Sequence, residues 1–358
     1  MSHGPVVSFT SKSSSAVRPS PAVGTRLLEV KQLMTVFPTD DGDVKAVDGV
    51  SFHLDAGETL GVVGESGCGK SVTALSVMRL LQPPGYVAGG EVLFKGRDLL
   101  KLSETEMEKV RGAEIAMIFQ DPMTSMNPVY RVGWQLQEPL RLHARLGRAE
   151  AKIAALKMLE RVGMPEPEKR ARMYPHMFSG GMRQRAMIAM CLMTAPSLLI
   201  ADEPTTALDV TIQAQILELL REINAELGTA TILITHNLGV VAGSCERVLV
   251  MYAGKVVEEG LTVDVFTNPK HPYTWALLRA IPRLDSDDEQ RLIAIEGAPP
   301  DLTDVPSGCA FHPRCHFRED RCSAETPMLT GFGRDHRAAC WVTSTGAELT
   351  VDRGERPG

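Results

Sequence analysis

A glycine-rich loop between an apolar run and an amphipathic stretch constrains the fold of this chain more than any other feature. The stretch ETLGVVGESGCGKSVTALSVMRLL, residues 58–81, predicts a buried strand, a loop and a helix that begins near Ser71. Within it, the spacing of Gly64, Gly69, Lys70 and Ser71 matches G-x-x-x-x-G-K-[ST]. A strand, a glycine loop and a helix in this order predict an α/β fold.

Phosphate is the ligand that such a loop suits. Its glycines leave backbone N–H groups free to converge on an anion, and the helix N-terminus adds the positive end of a dipole. Lys70 is predicted to neutralise the β- and γ-phosphates of a nucleotide, and the Ser71 hydroxyl to ligate Mg²⁺. A purely structural glycine turn is the alternative, and the thiol of Cys68 is assigned no chemistry. The residues predicted to line the nucleotide are Gly64, Ser66, Gly67, Cys68, Gly69, Lys70, Ser71 and Val72.

Two further apolar runs end in polar side chains. PSLLIADEPTTALD (196–209) predicts a buried strand that ends at Asp202 and Glu203, and TATILITHN (229–237) predicts another that ends at His236. Because ligands collect at the carboxyl ends of strands in α/β sheets, we expect Asp202 in the Mg²⁺ shell. Glu203 is expected just beyond it, where it could polarise an attacking water. Many strands end in solvated acids, so this interpretation depends on the phosphate loop.

A second helix start also suits an anion. In MFSGGMRQRAMIAMCLM, residues 177–193, Ser179 is a good N-cap, and Gly180 and Gly181 permit close backbone approach. An ordinary capped helix is the alternative. If both helix starts bind phosphate, the chain carries two anion sites.

Charge and hydropathy limit the partners. The 358 residues carry 38 basic and 44 acidic side chains, a net charge of −6, which disfavours nucleic acid as the main partner. The longest apolar stretch, residues 186–201, is too short to span a bilayer. Residues 1–25 are rich in Ser and Pro and predict a disordered tail, and residues 346–358 predict a second tail.

The ordered set GESGCGKS, FQDP, FSGGMRQR, LLIADEP, ALD and ITH resembles the nucleotide-binding subunits of ABC transporters over residues 26–265. The resemblance implies a P-loop ABC-type domain with an antiparallel β subdomain and a helical subdomain at about 125–195. It implies ATP and Mg²⁺ as cofactors. It also implies a dimer, in which each ATP lies between the phosphate loop of one subunit and the FSGGM signature of another. The second ATP-binding subunit would be another copy of this chain or a close relative.

The resemblance also assigns roles to matching residues. Gln120 would sense Mg²⁺ and the attacking water, Glu203 would be the catalytic base, and His236 would hold the γ-phosphate. Phe37 lies where the family stacks an aromatic ring on adenine, with edge-strand packing as the alternative. The other residues implied are Ser71, Gln120 and Asp202 around Mg²⁺, Ser179, Gly180 and Gly181 in the signature, and Asp209 in the D-loop.

Longer stretches of sequence narrow the resemblance to one subfamily of ABC transporters. MTSMNPVYRVG, DEPTTALDVTIQAQIL, MYAGKVVEEG and HPYTWALL resemble the ATPases of oligopeptide and dipeptide importers, although Asn237 stands where these usually have Asp. This implies an ATPase that energises peptide import at the cytoplasmic face of the bacterial inner membrane. Its partners would be two transmembrane permease subunits and, indirectly, an external solute-binding protein. The alternatives are nickel or glutathione import, a soluble ABC ATPase acting on nucleic acid, and a redox-regulated sensor ATPase.

Four cysteines lie near the C-terminus with the spacing C-x₅-C-x₆-C-x₁₇-C, at Cys309, Cys315, Cys322 and Cys340. Clustered thiols in a chain without a signal peptide suit tetrahedral sulfur ligation of a metal. Zinc favours short C-x₂₋₄-C chelates, whereas a [4Fe–4S] cluster accepts wider spacing. The resemblance also points to a [4Fe–4S] cluster here, in a C-terminal domain of residues 266–345, as a structural staple or a redox regulator. Zinc, and reduced or disulfide thiols, are the alternatives.

Overall fold

The computed structural model describes residues 25–121, 125–205, 209–280, 295–333 and 335–349. The predicted tails at 1–25 and 346–358 lie outside these ranges, except for residue 25 and residues 346–349. Within the described ranges, no helix is both long enough and apolar enough to cross a membrane.

Two sheets and their covering helices make up the described fold. The strands are β1 (Arg26–Thr39), β2 (Gly42–Asp55), β3 (Thr59–Val63), β4 (Tyr86–Phe94), β5 (Arg97–Asp98), β6 (Ile115–Ile118), β7 (Leu198–Asp202), β8 (Ala230–Ile234), β9 (Arg247–Tyr252), β10 (Lys255–Leu261), β11 (Thr330–Gly331) and β12 (Arg337–Ala338). The α-helices of the described ranges are α1 (Lys70–Met78), α2 (Glu104–Val110), α3 (Val132–His143), α4 (Arg148–Arg161), α5 (Pro167–Ala171), α6 (Gly180–Leu192), α7 (Val210–Leu227), α8 (Leu238–Ser244), α9 (Thr262–Thr267), α10 (Pro272–Arg279), α11 (Asp320–Ala324) and α12 (Trp341–Ser344).

A four-stranded antiparallel sheet, in the order β2-β1-β4-β5, corresponds to the β layer that the resemblance implies. Its buried side chains, among them Leu28 and Leu33, share one core with Val77 of α1. The Thr35 and Ser76 hydroxyls form a buried hydrogen bond of 2.7 Å between β1 and α1. The sheet therefore supports the helix that follows the phosphate loop.

The second sheet has eight strands in the order β11-β12-β10-β9-β3-β8-β7-β6, of which those from β9 to β6 are parallel. Every residue of β6, β7 and β8 is buried. Parallel strands covered on both faces are expected to be continuous apolar runs, which is what the sequence has at these strands. Because the strands run in one direction, the carboxyl ends of β3, β7 and β8 meet at one edge.

Helices α3 to α6 occupy residues 132–192, inside the region where a helical subdomain is implied. Their buried side chains, including Leu136, Met158 and Leu159, belong to one core with Ile118 of β6. The apolar faces of these helices are thereby covered by one another and by the parallel sheet. Helix α6, whose start carries the signature, therefore packs on the same sheet as the one that carries the phosphate loop.

The C-terminal segment, whose described residues are 266–280, 295–333 and 335–345, adds to the eight-stranded sheet, since its strand β12 pairs antiparallel with β10. The buried Glu258 carboxylate of β10 accepts hydrogen bonds from the backbone N–H groups of Lys270 and His271 and lies 2.8 Å from His336 Nε2. Burial lowers the pKa of His271 to about 3, so its neutral Nδ1 can accept from the Tyr273 N–H. These bonds fix the start of α10 against the sheet.

Candidate nucleotide site

The phosphate loop joins β3, an interior strand of the eight-stranded sheet, to α1. Gly64 has a φ of 152° and Gly69 a φ of 100°, values that favour glycine. A Cβ at Gly64 would overlap the Met251 carbonyl oxygen, and one at Gly69 would overlap that of Ala46. The motif glycines are therefore required by the close approach of the loop to two neighbouring segments, while the loop tip at Ser66 is exposed.

Lys70 is the first residue of α1 and is only 5% exposed. Its Nζ donates to the carbonyl oxygens of Gly64 and Glu65, each at 2.8 Å. A buried ammonium group needs such acceptors. Phosphate oxygens carry negative charge, so they are stronger acceptors for an ammonium group than carbonyl oxygens are. The ammonium group is thus placed to exchange its loop contacts for those of a nucleotide.

Ser71 and Asp202 meet at the mouth of the loop, where Ser71 Oγ donates to Asp202 Oδ1 at 2.9 Å. Burial raises the pKa of the Asp202 carboxyl, and the hydrogen bond from Ser71 partly opposes this. A hard cation such as Mg²⁺ is usually bound by one or two protein oxygens together with substrate phosphates. The donor set at this position therefore fits Mg²⁺, and a bound cation would lower the Asp202 pKa.

Three side chains predicted to take part in hydrolysis lie together at the same edge. Gln120 Nε2 donates to Glu203 Oε2 at 3.0 Å, and His236 Nδ1 lies 3.2 Å from Glu203 Oε1. Glu203 has a φ of 45°, and its N–H donates to the Ile234 carbonyl oxygen at 2.9 Å. A left-handed conformation is uncommon for a residue other than glycine and is concentrated at functional sites. Gln120, also predicted near Mg²⁺, here contacts Glu203.

The signature and D-loop residues cap helices. Ser179 Oγ accepts from the Met182 N–H at 3.3 Å, and Asp209 Oδ1 accepts from the Ile212 N–H at 3.0 Å. In the described parts of the chain, no hydrogen bond joins residues 179–181 to the phosphate loop. A nucleotide shared between the phosphate loop of one subunit and the signature of another stays a prediction.

Phe37 lies near the end of β1, opposite Val44 of β2. Its partly buried ring packs against Gly85, where a Cβ would overlap the ring. The ring thus has a packing role, although β1 is an interior strand of its sheet and not an edge strand. Stacking of the ring on adenine stays a prediction.

Two residues that contact the phosphate loop were missed by sequence reasoning. Arg314 donates to the Glu65 carboxylate at 2.7 Å and 2.9 Å, and Tyr273 Oη accepts from the Glu65 N–H at 2.7 Å. Arg314 is 249 residues and Tyr273 is 208 residues away from Glu65 along the chain. No local spacing could have indicated these contacts, because they depend on how the C-terminal segment packs.

Cys309, Cys315, Cys322 and Cys340 line one small cavity. Burial raises the pKa of Cys309 to about 11 and that of Cys315 to about 12, so both are thiols at neutral pH. Throughout the described ranges, no group of three or more His, Cys, Asp or Glu side chains is placed to hold a metal ion. The four thiols therefore share a cavity, but the predicted [4Fe–4S] site and its zinc alternative find no support in the structure.

Comparisons with known proteins agree with this fold. The profile of the family described as ABC transporter matches residues 47–206, and that of the oligopeptide/dipeptide transporter C-terminal region matches residues 257–322. The dimeric post-hydrolysis state of the ATP-binding cassette MJ0796, bound to ADP and Pi, aligns with a TM-score of 0.60 and 26% identity, over 66% of this chain and 99% of that one. The fold and the phosphate loop thus define an ATP-hydrolysing protein of the ABC class.

Relatives over most of the chain identify the family. The chain is 54% identical to the oligopeptide transport ATP-binding protein OppD of Bacillus subtilis over 89% of each chain. Identity is 56% with OppD of Escherichia coli, over 88% of this chain and 93% of the relative. It is 51% with the dipeptide transport ATP-binding protein DppD of Bacillus subtilis, over 92% and 98%. The chain therefore belongs to the oligopeptide and dipeptide transport ATP-binding proteins of the ABC transporter family.

Proposed function

We propose that this ATPase energises the import of di- and oligopeptides through a membrane permease. The relatives' names support peptides as the transported class. The meeting of Gln120, Glu203 and His236 beside the phosphate loop is the observation that carries the hydrolytic part of the proposal. A protein that only bound nucleotide would not need a carboxylate positioned by two polar side chains at this edge.

The chain's own residues bind and orient the triphosphate. The backbone N–H groups of the loop and the N-terminus of α1 receive the phosphates, and Lys70 Nζ moves from its carbonyl acceptors to the β- and γ-phosphate oxygens. Ser71 and Asp202 would hold Mg²⁺, with Gln120 as the further ligand that the resemblance implies. When bound, Mg²⁺ neutralises charge on the phosphate oxygens and fixes their geometry. Phe37 would stack on the adenine.

Glu203 is the proposed general base. It accepts a proton from the water that attacks the γ-phosphorus, while the bond to the β,γ-bridging oxygen breaks and ADP leaves. The His236 side chain is 60% exposed and that of Glu203 only 14%, so His236 is accessible to the γ-phosphate of a bound nucleotide. Gln120 positions the carboxylate and the attacking water.

Two ATP-binding subunits would close around the nucleotides. Ser179, Gly180 and Gly181 would contact the γ-phosphate on the partner subunit, and Asp209 would lie at the seam between the subunits. Hydrolysis removes the contact to the γ-phosphate, so the subunits separate and drive the permease. The remaining partners would be two transmembrane permease subunits and, indirectly, an external solute-binding protein. These partners would place the ATPase at the cytoplasmic face of the bacterial inner membrane.

An exposed apolar patch before and within α3 supports a permease partner. Val129 is 70% exposed, and the exposed rings of Tyr130 and Trp134 stack with centroids 4.4 Å apart. Exposed aromatic side chains that adjoin one another are typical of protein interfaces. The patch lies in the helical region, where the resemblance implies docking to the permease.

Reconstitution with the permease tests the proposed function. In proteoliposomes that contain this chain, its permease subunits and the second ATP-binding subunit, we expect peptide-loaded solute-binding protein to raise ATP hydrolysis and to drive peptide uptake. Parallel assays with nickel and glutathione serve as controls for the alternative substrates. Stimulation by nickel or glutathione alone, or salt-sensitive binding of nucleic acid without coupled uptake, would contradict the proposal.

We also propose that Cys309, Cys315, Cys322 and Cys340 together bind a [4Fe–4S] cluster. The proposal rests on the C-x₅-C-x₆-C-x₁₇-C spacing of these residues and on the cavity that they share, although no described group of side chains there forms a metal site. Zinc favours short C-x₂₋₄-C chelates, whereas a [4Fe–4S] cluster accepts the wider spacing that these four cysteines have.

Metal analysis of anaerobically purified protein tests the cluster. We expect about four irons and about four sulfides per chain, with a broad absorption at the blue end of the visible range. Cys315→Ser should remove the iron. Cys191→Ala is the control and should leave the iron in place, because Cys191 lies outside the C-terminal segment and its thiol donates to the Met117 carbonyl oxygen. One zinc per chain, or neither metal, would refute the cluster.

A further inference from the structure

Arg314 of the C-terminal segment forms a salt bridge with Glu65, an acidic residue of the phosphate loop. Arg314 Nη1 and Nη2 donate to the two carboxylate oxygens of Glu65 at 2.7 Å and 2.9 Å. The Arg314 side chain is only 6% exposed and that of Glu65 23%. Two parallel bonds in a mostly buried position distinguish this pair from exposed ion pairs, which contribute little.

Other contacts hold Arg314 in this position. Its Nε donates to the Glu296 carbonyl oxygen at 3.0 Å, and its Nη1 lies 3.3 Å from Tyr252 Oη. The residue ends the 3₁₀ turn His312–Arg314, which follows the buried Phe311. The guanidinium group is thus positioned by the C-terminal segment as well as by the loop.

The main chain of Glu65 also forms hydrogen bonds with neighbouring side chains. The Glu65 N–H donates to Tyr273 Oη at 2.7 Å, and the Glu65 carbonyl oxygen accepts from Lys70 Nζ at 2.8 Å. The Tyr273 ring packs on Tyr252 with centroids 4.6 Å apart. Because Glu65 directly follows Gly64, these contacts determine the path of the loop where it begins.

Charge gives the Arg314–Glu65 pair a direct effect on the nucleotide. A carboxylate within a phosphate loop repels the phosphates of ATP. The guanidinium group of Arg314 cancels this charge and keeps the Glu65 carboxylate turned toward the C-terminal segment. Without Arg314, the loop would carry an unpaired negative charge beside its anionic ligand.

We infer that Arg314 is a positioning residue for nucleotide binding that acts through Glu65. It fixes the path of the phosphate loop and cancels the negative charge of the Glu65 carboxylate. The inference rests on the proposed ATP-binding role of the loop. Gln120, Glu203 and His236 lie on other segments, so the chemistry of the bound complex does not depend on Arg314. The effect should therefore appear in the KM for ATP and in ATP affinity, with kcat largely kept.

A double-mutant cycle tests this role. In the reconstituted transporter, Arg314→Gln is expected to raise the KM for ATP about tenfold, because it leaves the Glu65 charge uncompensated. Adding Glu65→Gln should recover most of that loss, since the second change removes the unpaired charge. Arg314→Lys keeps the charge but not the two parallel bonds, and its effect is expected to lie in between. Binding of a fluorescent ATP analogue provides the matching affinities.

Arg321→Gln is the matched control, because Arg321 also pairs with a glutamate in the same segment, Glu325, but in an exposed position. It should leave the KM for ATP unchanged. An unchanged KM in Arg314→Gln, or a double variant no better than the single one, would overturn the inference. If Arg314→Gln does not fold, Arg314→Lys decides, because it keeps the charge and loses the two parallel bonds: a KM for ATP equal to that of the parent would overturn the inference. An inactive parent would instead contradict the proposed function.

Discussion

The Glu203→Gln variant is expected to bind ATP as tightly as the parent while its turnover number falls at least about 100-fold, the usual contribution of a general base. Glutamine has the size of glutamate and can still bond to Gln120 and His236, which hold Glu203 at 3.0 Å and 3.2 Å. It cannot accept the proton of the attacking water. Because the γ-phosphate then stays in place, the closed dimer should accumulate with ATP bound.

Single-turnover ATP hydrolysis and size-exclusion chromatography with ATP measure the two parts of this expectation. Glu218→Gln is the control, because Glu218 is an exposed glutamate that pairs with Arg221 on α7. It should show the parent's turnover and the parent's dimer content. A Glu203→Gln variant that hydrolyses ATP at the parent rate would exclude Glu203 as the base.

The part of the site that could be predicted from the sequence is the part built by local patterns. The strand before the loop ends at Val63, and α1 begins at Lys70, one residue before the predicted start at Ser71. Asp202 is the last residue of β7, and Glu203 follows it as expected. In each case a continuous apolar run marks a fully buried parallel strand, and a polar residue marks the point where it reaches the sheet edge.

Contacts between distant segments could not be predicted in this way. Glu258 on β10 bonds to the start of α10 and to His336, and nothing in the spacing of these residues indicates that they pair. The Arg314–Glu65 pair likewise forms only because the C-terminal segment lies against the phosphate loop. Such long-range pairs arise from tertiary packing, which a local pattern does not encode.

Lys70→Met is expected to weaken ATP binding at least about 100-fold, which corresponds to about 2.7 kcal/mol at about 1.36 kcal/mol per factor of ten. The Lys70 ammonium is the buried cation at the start of α1, and hydrogen bonds to charged groups contribute about 1.5–3 kcal/mol each. Methionine keeps the apolar stem in its packing and removes only the charge and the donors. Lys70→Arg should also bind weakly, because a guanidinium group is larger than this buried position allows.

Thermal unfolding with and without ATP measures the loss, since a ligand that binds the folded state raises its stability in proportion to the logarithm of its concentration over Kd. The parent should gain stability with ATP, and Lys70→Met should gain almost none at the same concentration. Lys101→Met is the matched control, because the Lys101 side chain is 75% exposed and pairs with Asp98 away from the loop. Equal stabilisation of Lys70→Met and the parent by ATP would mean that the phosphates bind elsewhere on the protein.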